Sequence, residues 1–146
     1  MKTRKEPLGL GIESSCDETS VALLEGKNNL LAHPVYSQIE LHEDYFGVVP
    51  EVASRAHLEK MPLLLDEVFE KAKRDPKELD YIGVTVKPGL VGSLLVGYHT
   101  ALALATELNI PCIPVHHLEA HLYAVDLMGH QLEWPFLGLL LSGGNT

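Results

Sequence analysis

His117-Leu118-Glu119-Ala120-His121 carries the residue types best able to do chemistry in this 146-residue chain. Residues four apart on a helix share a face with their Cβ atoms about 5–6 Å apart, so two ring nitrogens can converge on one metal ion. Imidazole suits zinc, iron, nickel and copper alike. His116 lies one step away, about 100° around a helix, and belongs to a different face. The same spacing also serves two polar residues on an exposed helix, and two histidines do not complete a site. HExxH metalloproteases place their general base directly after the first histidine, whereas Glu119 is the second residue after His117. That step turns it about 100° away and disfavours a protease of that kind.

Three glycine- or hydroxyl-rich loops offer further chemistry. Residues 13–19 hold Glu13, Ser14, Ser15, Cys16, Asp17, Glu18 and Thr19 between two apolar runs. A tight turn there can aim backbone N–H groups at an anion, and its carboxylates can hold a metal or orient a substrate. A polar hairpin satisfying its own backbone would look the same. Lys87-Pro88-Gly89-Leu90-Val91-Gly92-Ser93 is a strand-to-helix turn whose helix end favours phosphate or carboxylate. It lacks the order of a P-loop and the spacing of a dinucleotide fingerprint. Ser142-Gly143-Gly144-Asn145-Thr146 lets backbone approach a ligand, or makes an ordinary turn. His33, His42, His57, His99 and His130 are read as surface or locally hydrogen-bonded residues.

The elements that position these loops follow from periodicity. Residues 8–14, 20–25 and 30–38 predict an antiparallel opening of strands, with a turn at Gly26-Lys27-Asn28-Asn29. Residues 51–73 carry Val52, Ala56, Leu63, Leu64, Val68 and Ala72 at helical spacing, and Pro62 predicts two helices or a kink. Residues 81–86 predict a strand, 94–108 a helix buried nearly all round, and 110–115 a strand leading into the histidine helix. Residues 134–141 predict a last strand. Strands followed by strand–helix alternation imply an α/β fold with a mixed sheet. Ligands of such sheets bind beyond the carboxyl ends of strands, where the last strand's glycine turn would lie.

Bulk properties narrow the partners. Apolar residues make up 46% and charged residues 21%, as in ordinary globular proteins. No apolar run approaches the length that spans a membrane, and Glu13 and Asp17 break any secretory leader. Cys16 and Cys112 have no paired spacing, which favours a reduced, cytoplasmic setting. A formal charge of −9 gives no help with phosphate backbones, so a nucleic-acid substrate would need basic surface from elsewhere.

Taken in order, five motifs resemble one family. They are Gly11-Ile12-Glu13-Ser14-Ser15-Cys16-Asp17-Glu18-Thr19, Gly47-Val48-Val49-Pro50-Glu51-Val52-Ala53-Ser54-Arg55, Pro88-Gly89-Leu90-Val91-Gly92-Ser93-Leu94, Val115-His116-His117-Leu118-Glu119-Ala120-His121 and Leu141-Ser142-Gly143-Gly144. The set is similar to the bacterial TsaD family, formerly called Gcp or O-sialoglycoprotein endopeptidase, and covers essentially the whole chain. The resemblance implies an actin-like ATPase (ASKHA, ribonuclease H-like) lobe, with residues 1–146 as the N-terminal lobe of a longer two-lobe protein. It implies a tRNA N6-adenosine threonylcarbamoyltransferase, which moves the threonylcarbamoyl group of threonylcarbamoyl-AMP to the adenosine beside the anticodon of ANN-decoding tRNAs.

By the same resemblance His117 and His121 bind one divalent ion, iron or zinc, with a third ligand, an aspartate, beyond residue 146. Leu140, Leu141, Ser142, Gly143 and Gly144 match the substrate-binding stretch. Asp17 or Glu18 is expected to position the substrate or take the amine proton. The implied partners are a TsaB-like paralogue, a TsaE-like ATPase and tRNA, with no membrane. The chain departs from the family pattern at Asn145 (usually His), Lys87 (usually Gly) and Leu102 (often basic). The 146 residues alone are expected to bind metal weakly and not to transfer. A metalloendopeptidase and a non-catalytic lobe that docks its paralogue, or self-associates, through its helices are the alternatives.

Overall fold

The structure, a computed structural model, describes residues 6–127, 133 and 135–141. Its centre is β1 (Leu8–Glu13), where strict alternation sends Leu8, Leu10 and Ile12 into the core and Gly9, Gly11 and Glu13 to the opposite sheet face. β1 pairs antiparallel with β2 (Glu18–Glu25) and parallel with β5 (Tyr81–Lys87), which pairs parallel with β6 (Cys112–His116). β3 (Asn29–Ala32) and β4 (Val35–Ser37) both pair antiparallel with β2. They are the single strand expected over 30–38, split where Pro34 removes a ladder donor. The sheet order is β3-β2-β1-β5-β6, with β4 beside β2.

One sheet face is covered by helices. After the short α1 (Ile39–His42) and a 3-10 turn at Glu43–Tyr45, α2 (Pro50–Ala72) lays Met61, Leu64 and Val68 on Leu8, Leu10, Leu23 and Ile82. Burying each such side chain fully contributes about 1.5–3 kcal/mol. Of the two expected outcomes, two helices or a kink, the first does not occur: α2 is one helix through Pro62. Pro62 lies on the solvent side, so the Leu58 carbonyl that loses its partner is on an exposed turn within reach of water.

α3 (Val91–Leu108) follows β5 and buries Ser93, Gly97, Ala101 and Ala105, a stripe of small residues one turn apart. That stripe lets the helix lie close against β1 and β5. The expected burial all round does not hold: Val91, Leu95, Tyr98 and Leu102 are exposed, because the sheet and α2 cover only one side of α3. By length and composition alone α3 could also cross a membrane, against the sequence expectation. Its small-residue stripe instead builds it into the core of this fold.

α4 (His117–Leu127) continues directly from β6 and crosses the other sheet face, with no fully buried residue. Residues 135–141 form no strand, contrary to expectation. Gly138 lies against the Leu122 side chain of α4 instead of running beside the free edge of β6, and Leu137 is 97% exposed.

His57, expected at the surface or in local hydrogen bonding, is hydrogen-bonded but lies in the core. His57 is fully buried on α2, where its Nδ1 accepts the Thr19 hydroxyl at 2.7 Å and its Nε2 donates to the Cys16 carbonyl at 3.0 Å. It ties the loop after β1 to the helix layer. Burial pushes its imidazole below the ordinary value, against the Cys16 carbonyl and the charges of Glu13 and Asp17, which favour protonation. The folded value is the lower one, so the unfolded chain takes up the proton first. This contribution to stability is whole above pH about 6.5 and is lost as the pH falls from there toward the folded value. Urea unfolding is therefore expected to show stability falling as the pH drops below about 6.5. His57→Leu flattens that slope and costs about 1–3 kcal/mol for each polar group left unpaired.

Candidate functional site

The carboxyl ends of the parallel strands β1, β5 and β6 meet at one edge, and the histidine helix starts there. Strand register places Ser20, Glu13, Thr85 and Val115 in one row across the sheet and Ala22, Gly11 and Gly83 in the next. These residues, most of them small, form the floor of a cavity of about 310 Å³, roofed by His117, Ala120, His121 and Ala124 of α4.

His117 is half-buried and His121 exposed. Their Nε2 atoms lie 3.1 Å apart and the rings meet edge to face at 87°. Two nitrogens bound at about 2.0–2.1 Å to one tetrahedral ion stand about 3.3–3.4 Å apart, so the separation of the pair is compatible with a single metal. Among the described residues, no group of three or more His, Cys, Asp or Glu side chains is placed to hold a metal. His116 and Glu119 line a different cavity on the far side of α4, together with Tyr123 and Asp126. Glu119 is thus kept from a zincin base's position.

The other nitrogen of His117 faces the end of β1. Its Nδ1 lies 3.3 Å from Glu13 Oε2 and 3.2 Å from Ser15 Oγ. Glu13 Oε1 accepts the Ser15 backbone N–H, and Oε2 accepts the Thr85 hydroxyl. Burial pushes the Glu13 carboxyl up, but hydrogen bonds from Ser15 and Thr85 and the nearby His117 outweigh it and leave it below the ordinary value. Sequence reasoning listed Glu13 among the polar loop residues without singling it out. The signal was its place as the last outward-facing residue of β1.

Asp17 and Glu18 stand outside this hydrogen-bonded group. The Asp17 carbonyl accepts the Gln38 N–H, and Glu18 is exposed at the head of β2 beside Ser37. Leu140 is half-buried and Leu141 exposed. Ser142, Gly143, Gly144, Asn145 and His130 lie outside the described residues.

The loop after β1 is fixed by α3. The Ser14 hydroxyl donates to the Ser93 carbonyl at 2.7 Å and accepts the Gly97 N–H at 3.2 Å, bridging the two groups of one helical turn. A Cβ on Gly97 would stand 2.5 Å from that oxygen, so only glycine admits it. The 87–93 turn closes over the same loop. Leu90 N–H donates to the Ser15 carbonyl at 2.8 Å, and a Cβ on Gly89 would come within 2.5 Å of that carbonyl. Lys87 is exposed beside it.

A family model described as tRNA N6-adenosine threonylcarbamoyltransferase (TsaD) matches residues 29–146. Proteins of that name from Leptospira interrogans and Fusobacterium nucleatum are each 49% identical, over 95% and 94% of this chain. One from Legionella pneumophila is 51% identical over 94% of it. The chain spans only 40–41% of the length of these relatives. Among solved structures, YeaZ from Pseudomonas aeruginosa matches with TM-score 0.62 and 19% identity, over 84% of this chain and 50% of that one. A Pseudomonas aeruginosa protein described as similar to peptidase YeaZ matches with TM-score 0.56 and 21% identity, over 75% and 43%. The fold is the actin-like, ribonuclease H-like α/β lobe with a mixed sheet flanked by helices.

The Ser14 bridge gives a direct test. Gly97→Ala is expected to cost about 1–3 kcal/mol through overpacking. Pairing it with Ser14→Ala, which removes the obstructing oxygen, should recover part of that loss. A double-mutant cycle by urea unfolding reads the coupling, and strict additivity would dissolve the bridge.

Proposed function

The chain belongs to the tRNA N6-adenosine threonylcarbamoyltransferase family, and from that membership we propose that it forms the metal-bearing lobe of such an enzyme. The reaction moves the threonylcarbamoyl group of threonylcarbamoyl-AMP to N6 of the adenosine beside the anticodon of ANN-decoding tRNAs. The observation that carries this reading is the pair of Nε2 atoms 3.1 Å apart at the carboxyl edge of the parallel strands.

On this reading His117 and His121 hold one divalent ion, iron or zinc, with an aspartate beyond residue 146 as a further ligand. When bound, such an ion polarises a carbonyl and steadies the negative charge that develops on it. The chain's own groups do the rest. The small-residue floor under α4 admits substrate atoms close to the sheet, and the 87–93 turn presents a helix N-terminus and Lys87 toward phosphate. As the amine nitrogen bonds to the carbamoyl carbon, the bond from that carbon to the phosphate oxygen of AMP breaks and the amine loses a proton. Asp17 or Glu18 of the loop after β1 would position the substrate or receive that proton, although neither lines the cavity in which Glu13 stands. Leu140, Leu141, Ser142, Gly143 and Gly144 complete the substrate-binding stretch.

A specific observation supports the partner reading. Leu58 and Leu63 of α2 and Val91, Leu95, Tyr98 and Leu102 of α3 are exposed apolar side chains on the helical layer. A TsaB-like paralogue docking there would cover them, and a TsaE-like ATPase would complete the assembly. With a net charge of −9, basic surface for tRNA has to come from the rest of the protein or its partners.

In the full-length protein with both partners, His117→Ala and His121→Ala are each expected to reduce threonylcarbamoyl transfer to background, measured as modified adenosine in tRNA. Transfer that survives both changes would remove the metal role. Metal-dependent casein cleavage above a chelated control would favour the peptidase reading instead. Leu95→Asp together with Leu102→Asp should abolish co-elution with the paralogue in size-exclusion chromatography, and unchanged co-elution rules out this face.

A further inference from the structure

We propose that Glu13 is a positioning residue that fixes the tautomer of His117, holding the proton on Nδ1 so that the Nε2 lone pair faces His121. The metal consequence drawn below rests on the reading of the histidine pair as metal ligands; the tautomer itself does not.

The argument begins with how firmly Glu13 is held. It closes the central strand, paired through β1 with β2 on one side and β5 on the other. Its two oxygens are then fixed separately, Oε1 by the Ser15 backbone N–H and Oε2 by the Thr85 hydroxyl. Both donors favour the ionised carboxylate, which accepts hydrogen bonds and donates none. Oε2 therefore presents a lone pair to His117 Nδ1 at 3.3 Å. A bare Nδ1 would set two lone pairs against each other there, whereas a protonated Nδ1 makes a charge-assisted hydrogen bond. Ser15 Oγ, 3.2 Å from the same nitrogen, can accept or donate and so does not oppose this choice.

In the neutral ring, a proton on Nδ1 leaves Nε2 bare. Nε2 of His117 lies 3.1 Å from Nε2 of His121, so the one hydrogen between them belongs to His121. The two histidines are thus unequal. His117 has its ligating lone pair in place before any ion arrives, and His121 must move its proton from Nε2 to Nδ1 or lose it. Carboxylates that orient ligating imidazoles in this way commonly change metal affinity by about 10–100-fold when removed. Thr85 belongs to the same device, because its hydroxyl sets the plane of the Glu13 carboxylate.

The test is two-bond 1H–15N NMR of the metal-free, full-length protein labelled in its histidine rings. The expected result is a protonated Nδ1 and a bare Nε2 on His117, with the reverse on His121. The opposite tautomer of His117 overturns the proposal without any variant having to fold. Glu13→Gln should mix the two His117 tautomers, Thr85→Val should shift them the same way, and Thr85→Ser should restore the wild-type signature. An unchanged tautomer in folded Glu13→Gln also overturns it. Zinc affinity by chelator competition should fall about 10–100-fold in Glu13→Gln. If His117→Ala and His121→Ala leave zinc affinity unchanged, the metal reading fails, and the tautomer spectra alone decide the role of Glu13.

Discussion

A single hydroxyl, that of Ser14, fixes where the end of the central strand can be. It bridges the Ser93 carbonyl and the Gly97 N–H of α3, and it is fully enclosed. Because successive residues leave a strand on opposite sides, holding Ser14 against α3 sends Glu13 to the other face, toward α4. One residue is therefore bonded into the helical core while its neighbour reaches the histidines. Gly97, Gly89 and His57 serve the same end: the first two clear space for the loop, and the third ties Thr19 and Cys16 to α2.

The two sheet faces differ in how much they bury. Toward α2 and α3 the strands present leucine, isoleucine and valine, which supply most of the apolar burial. Toward α4 they present mostly glycine, alanine, serine and threonine, with Glu13, Leu24 and Val115 among them, and α4 has no fully buried residue to set against them. Among the described residues, polar contacts add to its junction with β6 and the packing of Gly138 on Leu122: Glu13 and Ser15 at His117, and the Lys27–Asp126 ion pair at 3.5 Å near its other end. A surface pair of this kind, with its lysine exposed, contributes about 0–1 kcal/mol. Elements with few buried apolar contacts open at lower free energy than the core. The helix that carries both imidazoles is thus the most lightly held of the long helices, and its position depends on the end it shares with Glu13.

Much of this was legible in the sequence, for physical reasons. Alternation in β1, β2 and β5 and the strand-to-helix junction at His116–His117 are local patterns, and they gave the mixed sheet and the shared face of His117 and His121. The failures were questions of tertiary cover. The apolar faces of α3 could not be sorted into buried and exposed without knowing that the sheet lay on one side only. The hydrophobicity of 135–141 is strand-like, but a strand needs a partner edge, and this segment lies on Leu122 instead. Glu13 went unselected because the reading favoured the acidic pair at the tip of its loop, whereas hydrogen bonding favours the residue still inside the strand, whose backbone is fixed.

The same layering bears on how such a lobe could both chemically act and assemble. The exposed apolar residues of α2 and α3 lie on one side of the sheet, and the imidazole pair with its cavity lies on the other. A protein seated on the helical layer, as proposed for the paralogue, would leave His117 and His121 open from the α4 side. Coupling between the two surfaces would have to pass through the sheet, and the shortest covalent route is the step from Ser14 to Glu13. The Ser14 hydroxyl is bonded to Ser93 and Gly97 of α3, and the adjoining carboxylate is the group proposed to orient His117. Assembly and site geometry thus meet in two consecutive residues, the last of β1 and the first of the loop after it.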